Sequence, residues 1–289
     1  MNKKWMLTLI LSLALLFIPT AQAAPFTYIA YSFVHGINDA PINSAEHFEL
    51  VASDAFSLPT INSFSTIKGD LRITADNGLV MCHDAGFTLN GEGRVTTFDA
   101  HNMKAIHDLT LEECLALEYE NQYNGTYVHV CDFETYISIC ARHNKTAFIT
   151  IRNEYIPELL DVMMPIISSH NMLDKCIINS FTLESLELVR ERDESISLSW
   201  VIENGRFTKA TVDTAVNLGN CILSLFNFPE ERFGGFRALD SYKKVIAYAQ
   251  RKGVTLYAAI IDDATIVERL EKYGISGAQM RLRDGRLIQ

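Results

Sequence analysis

The sequence predicts an α/β fold, a single TIM-type (β/α)8 barrel, on three observations. From residue 146 onward, short apolar runs alternate with segments of helical period, the pattern of βα units around a parallel sheet. Counting a hairpin at 67–81 once, the strand-like runs come to the barrel number of eight. Removing residues 1–23 from the 289 leaves 266, close to the roughly 250 of one such barrel.

Residues 1–23 have the makings of a secretory signal: a basic start at Lys3 and Lys4, an apolar run Trp5–Ile18, and a small-residue cleavage site Ala21-Gln22-Ala23. The run is too short to favour a membrane span. The mature chain, 24–289, is therefore expected to be exported, to the periplasm or beyond, without stable membrane insertion. The short Lys-Lys start is of bacterial type, so the sequons Asn124-Gly125-Thr126 and Asn144-Lys145-Thr146 are expected to go unused.

The first strand falls at 26–34. A helix should follow from a cap at Asn43, with Glu46 three residues on. Next comes the hairpin: Ile67, Leu71 and Ile73 lead to the turn Asp76-Asn77-Gly78, and Leu79, Val80 and Met81 return to His83-Asp84. Alternation places Lys68, Asp70, Arg72 and Thr74 on one face. Such a row is costly beside a core unless its members pair or serve a ligand.

Residues 85–108 read as a long loop, which in a compact domain is usually functional or mobile. The loop ends at a capping box, Thr110 to Glu113. A helix at 131–143 precedes a strand at 146–152. Helices are then expected at 155–169 (disturbed at Pro165), 183–192, 208–218, 238–252 and 264–273. They lead to strands at 175–179, 196–202, 220–226, 254–261 and 275–280. The aromatic-rich 226–236 loop is either a substrate lid, a lipid-contacting rim or a cover over the core.

Charge narrows the partners. Without Lys3 and Lys4 the formal net charge moves from −10 to −12, which argues against nucleic acid or an anionic membrane as a general partner. A phosphate site must then be a local basic pocket. The six cysteines are scattered, with Cys114 and either Cys131 or Cys140 as the one pairing worth testing. Their spacings do not make a zinc site.

The hairpin resembles the segment Glu-x-Asp-Val-x-x-Thr-x-Asp-Gly-x-x-Val-x-x-His-Asp of the glycerophosphodiester phosphodiesterases. Here it reads Lys68-Gly69-Asp70-Leu71, Thr74, Asn77-Gly78 and His83-Asp84. Pro41-Ile42-Asn43-Ser44 is similar to that family's Pro-Glu-Asn-Thr, and Thr150-Ile151-Arg152 stands at its Glu-x-Lys. His35-Gly36 is the better match to its first His-Arg-Gly, and the rival alignment at Tyr31-Ser32 removes that histidine. The resemblance implies a TIM barrel that hydrolyses small-molecule phosphodiesters with two histidines, His35 and His83, and a divalent metal such as Mg or Ca. Of the metal-ligand carboxylates, Ile42, Lys68 and Thr150 replace three and Asp70 remains. Asp39 and Glu154 are the neighbours able to refill the set.

Cleaving a phosphodiester needs a base for the attacking oxygen, an acid for the leaving one, and positive charge on the non-bridging oxygens. His35 and His83 suit the first two roles, because histidine exchanges protons closest to neutral pH. Lys68 and Arg152 suit the third, as a point charge and a bidentate fork. A metal-independent site is the alternative, and it has a likeness in some bacterial phosphatidylinositol phospholipases C, which use an arginine where relatives use calcium. The competing expectation is an inactive relative that binds a phosphorylated or polyol ligand. A glycoside hydrolase ranks last, because it needs two inward carboxylates. The remaining histidines, His47, His101, His107, His129, His143 and His170, are expected at the surface.

Overall fold

The computed structural model describes residues 25–34, 41–54, 61, 63–90, 93–96, 103–120, 127–152, 155–203, 205–226, 235–262 and 264–283. The signal segment, His35, Asp39, Glu154 and most of the aromatic-rich loop lie outside them.

In chain order the elements begin with β1 (Thr27–Val34), α1 (Ala45–Ala52), β2 (Thr66–Ile73), β3 (Leu79–Met81), β4 (Gly86–Leu89), β5 (Val95–Thr96) and β6 (Met103–Ala105). Then come α2 (Leu111–Leu115), β7 (Glu118–Glu120), β8 (Tyr127–His129), α3 (Phe133–Arg142), β9 (Thr146–Ile151), α4 (Ile156–Ser169) and β10 (Cys176–Ser180). The chain continues through α5 (Leu183–Arg192), β11 (Ser197–Ile202), α6 (Lys209–Leu218), β12 (Cys221–Phe226), α7 (Gly235–Arg251), β13 (Leu256–Ile261), α8 (Val267–Lys272) and β14 (Gly277–Arg283).

Eight strands close into a parallel barrel in the order β1, β2, β9, β10, β11, β12, β13, β14, and β14 returns to β1. The apolar positions that alternate outward, such as Ile67, Leu71, Ile149, Ile178, Leu198 and Leu223, pack under the helices as one continuous core. Inside the barrel Ile29, Phe148, Ile177 and Tyr257 form an apolar plug. One layer further along the strands stand buried polar residues, Thr150, Asn179, Ser199, Ser224 and Gln279. The barrel thus grades from apolar at its base to polar toward the C-terminal ends of its strands, where chemistry in this architecture is placed.

Three expectations are corrected. Residues 85–108 are not one long loop: they carry β4, β5 and β6, which join β7 and β8 in a second sheet of order β6-β4-β5-β7-β8. That sheet has its own core of Val80, Cys82, Phe87, Val95, Ile106, Leu109, Cys114 and Val130. The cap of α1 is Ser44, whose hydroxyl accepts from the His47 N–H, while Asn43 takes a left-handed φ of 64°. His47 is not at the surface: one helical turn into α1 it lies on the buried face beside Phe48. The six cysteines, Cys114, Cys131 and Cys140 among them, are all free and buried.

Candidate active site

Asp70 is the centre of the site. It lies on the inner face of β2 with Lys68, both almost wholly buried. Gly69 between them faces outward, where an added Cβ would stand 2.3 Å from Met81 and 3.3 Å from Tyr136. That close packing holds the strand to the register that turns its two charged neighbours inward. Lys68 Nζ donates to Asp70 Oδ1 at 2.7 Å, and Arg152 Nη2, just past β9, donates to the same oxygen at 2.9 Å. The backbone of Asp70 is fixed as well: its N–H donates to Asn43 Oδ1 and its carbonyl accepts from the Cys82 N–H.

That last bond brings the end of the hairpin over the barrel mouth. Arg72 donates to the His83 carbonyl at 2.8 Å, and His83 Nδ1 lies 2.8 Å from Asp84 Oδ1. A carboxylate there makes Nδ1 the N–H nitrogen and leaves Nε2 as an acceptor. His83, Lys68, Asp70 and Arg152 line one cavity of about 170 Å³ with Tyr31, Thr150, Asn179, Phe181, Phe226 and Gln279.

Burial by itself would raise the Asp70 carboxyl, but Lys68, Arg152 and His83 overcome it and hold the group down to about 2. Burial lowers the Lys68 ammonium, opposed by Asp70. One carboxylate therefore faces two cations, and the cluster carries an unbalanced positive charge at the cavity. Asn179 Oδ1 and Arg152 Nε are buried without hydrogen-bond partners among the described residues, which leaves polar valence for a ligand.

The described residues do not by themselves hold a divalent ion. It wants several oxygen ligands, whereas Asp70 Oδ1 already accepts from two cationic donors. Among the described residues no three acidic, histidine or cysteine side chains cluster as a metal would require.

Of the expected site residues, Lys68, Asp70, His83 and Arg152 come together; His35, Asp39 and Glu154 fall outside the described residues. Arg152 takes Asp70 as its partner, an ion pair across two strands. Trp200 packs against the main core rather than the cavity. Sequence reasoning missed Asn179 and Gln279 as cavity residues, because a lone amide inside a strand carries no distinctive spacing.

The fold finds its likeness among known structures. A candidate glycerophosphoryl diester phosphodiesterase of Silicibacter pomeroyi superposes with a TM-score of 0.69 at 15% identity, over 90% of this chain and 91% of its own. A glycerophosphodiester phosphodiesterase of Parabacteroides distasonis gives 0.63 at 16% identity, over 90% and 94%. A phosphodiesterase of Oleispira antarctica, solved with the product sn-glycerol-3-phosphate, gives 0.65 at 13% identity, over 88% and 92%. At such identities the likeness is one of fold. No curated protein matches the sequence. The sequence pattern of the Glycerophosphoryl diester phosphodiesterase family matches residues 63–279, well over half of the chain, and so the protein belongs to that family.

Proposed function

We propose that the protein is an exported phosphodiesterase that hydrolyses glycerophosphodiesters or related headgroup esters by histidine acid–base chemistry, with its own cations in place of a metal ion. The observation that carries this reading is the Lys68–Asp70–Arg152 cluster, two cations on one carboxylate oxygen at the floor of the barrel-mouth cavity. A monoanionic phosphodiester balances the excess charge. Arg152, with N–H groups to spare, forks onto the non-bridging oxygens, and Lys68 adds a point charge as negative charge grows on them. His83 Nε2, held by Asp84 through the other ring nitrogen, takes the proton of the attacking oxygen. Family membership and the neighbour solved with sn-glycerol-3-phosphate support the substrate class.

The test is product release from glycerophosphocholine by the purified mature protein, with and without EDTA, beside His83→Ala. Turnover that survives EDTA and falls about 10²- to 10⁴-fold in the variant is the expected result. Turnover abolished by EDTA would replace the cation mechanism with a metal site. No turnover under any condition would favour the second reading, a barrel that binds a phosphorylated or polyol ligand, which the loss of three family carboxylates supports.

A further inference from the structure

His83 supplies one proton-handling group to the cavity, and diester hydrolysis calls for two. Among the described residues, the only other group lining this cavity with a transferable proton on oxygen, apart from the Thr150 hydroxyl that accepts from Asn179, is the phenol of Tyr31. Its place there is built into the sheet. On β1, Ala30 pairs with Met280 and Ser32 pairs with Arg281, so Tyr31 is the extra residue of a bulge against β14. A bulge re-aims a side chain, and this one turns the ring into the barrel mouth. Lys68 Nζ stands 4.3 Å from the ring centroid, so phenol and ammonium share one face of the site. Among the described residues the ring packs against Lys68 while the Tyr31 hydroxyl has no hydrogen-bond partner, so the hydroxyl's place on the cavity wall is not explained by bonding.

We infer that Tyr31 is the general acid of this site and gives its hydroxyl proton to the leaving alcohol. The inference rests on the phosphodiesterase reading above. As the attacking oxygen bonds to phosphorus, its proton passes to His83 Nε2. The bond from phosphorus to the leaving oxygen breaks, its electron pair stays on that oxygen, and the Tyr31 Oη proton neutralises it. The phenolate, beside Lys68 and Arg152, then recovers a proton from the His83 imidazolium through water, and the net reaction consumes one water. Burial, with Asp70 adding to it, pushes the phenol up to about 12, which keeps it protonated before the step. An alkoxide is a stronger base than a phenolate, so the transfer runs downhill.

The experiment compares wild type with Tyr31→Phe on two diesters. Glycerophosphocholine expels an alkoxide, which needs a proton; bis(p-nitrophenyl) phosphate expels a p-nitrophenolate, which does not. We expect kcat on glycerophosphocholine to fall about 10²-fold with KM nearly unchanged, kcat on the nitrophenyl ester to hold, and the melting temperature to hold. Equal rates of variant and wild type on glycerophosphocholine overturn the assignment. Equal losses on both substrates also overturn it, because the hydroxyl would then serve the phosphate rather than the leaving group. A wild type inactive on both diesters overturns the phosphodiesterase reading and this inference together, whereas an active wild type with an unimpaired variant removes only the inference.

Discussion

Two lysine–aspartate pairs, one at each end of the barrel, use the same residue types for different ends. Immediately before β9, Lys145 Nζ donates to both oxygens of Asp54, at 2.9 and 2.8 Å, and the pair is electrically closed. Inside β2, Lys68 and Arg152 donate to one oxygen of Asp70, and a positive charge is left over. The first arrangement ties the chain after α1 to the start of β9. The second has the stoichiometry of a receptor for an anion. What separates the two ion pairs here is the count of charges, together with the deeper burial of Asp70 than of Asp54, and not the identity of the residues.

Substitutions at the two ends should therefore diverge. The largest effect is expected for Asp70→Asn, which leaves the buried Lys68 and the partly buried Arg152 side by side without a counter-charge. Unfolding free energy should drop by about 3–5 kcal/mol in a denaturant titration, with hydrolysis lost. A variant as stable as wild type would mean that the cluster is not held by its central charge. Arg152→Ala should lower kcat/KM on glycerophosphocholine by about 10²- to 10³-fold, whereas Lys145→Ala should leave it unchanged. An equal loss in both variants would erase the distinction.

A smaller effect comes from His47, which burial pushes down to about 4. Its unfolded form binds a proton that the folded form refuses, so stability is complete above about pH 6.5 and declines as pH falls toward 4. The decline should reach about 3 kcal/mol at 1.4 kcal/mol per pH unit. Denaturation between pH 7 and 4.5 should show this slope in wild type and lose it in His47→Gln. The smallest change is the stability of Lys145→Ala, about 1 kcal/mol, since Asp54 is one-third exposed and water screens the pair.

How far the sequence foretells this follows from the range of each signal. From residue 146 on, elements fall within a few residues of their expected places, because strands of five to seven residues and long helices repeat their period enough to be read. The second sheet was hidden for the opposite reason: β5 is two residues long and β6 three, too short for any alternation. Alternation alone put Lys68 and Asp70 on one face, and they pair there. The Arg152 contact to Asp70 crosses from β9 to β2 between residues 82 apart in sequence, a distance no local pattern spans. Tyr31 entered only as the rival alignment to His35, since a bulge depends on the register of the strand opposite and leaves no mark in its own strand.

The bulge at Tyr31 has a companion. On the other side of β14, Ala259 pairs with Gln279 and Ile261 with Met280, so Ile260 is also a residue in excess, and it too lines the cavity. β14 is thus flanked by neighbours that each spend one more residue than it does over the same rise. The specification is arithmetical: it resides in how many residues lie between two fixed pairings. Chemistry-neutral insertions or deletions here, which no comparison of residue types would flag, would rotate the side chains that follow from cavity to core. For such a site, length variation along β1 and β13 is a sharper record of divergence in function than substitution.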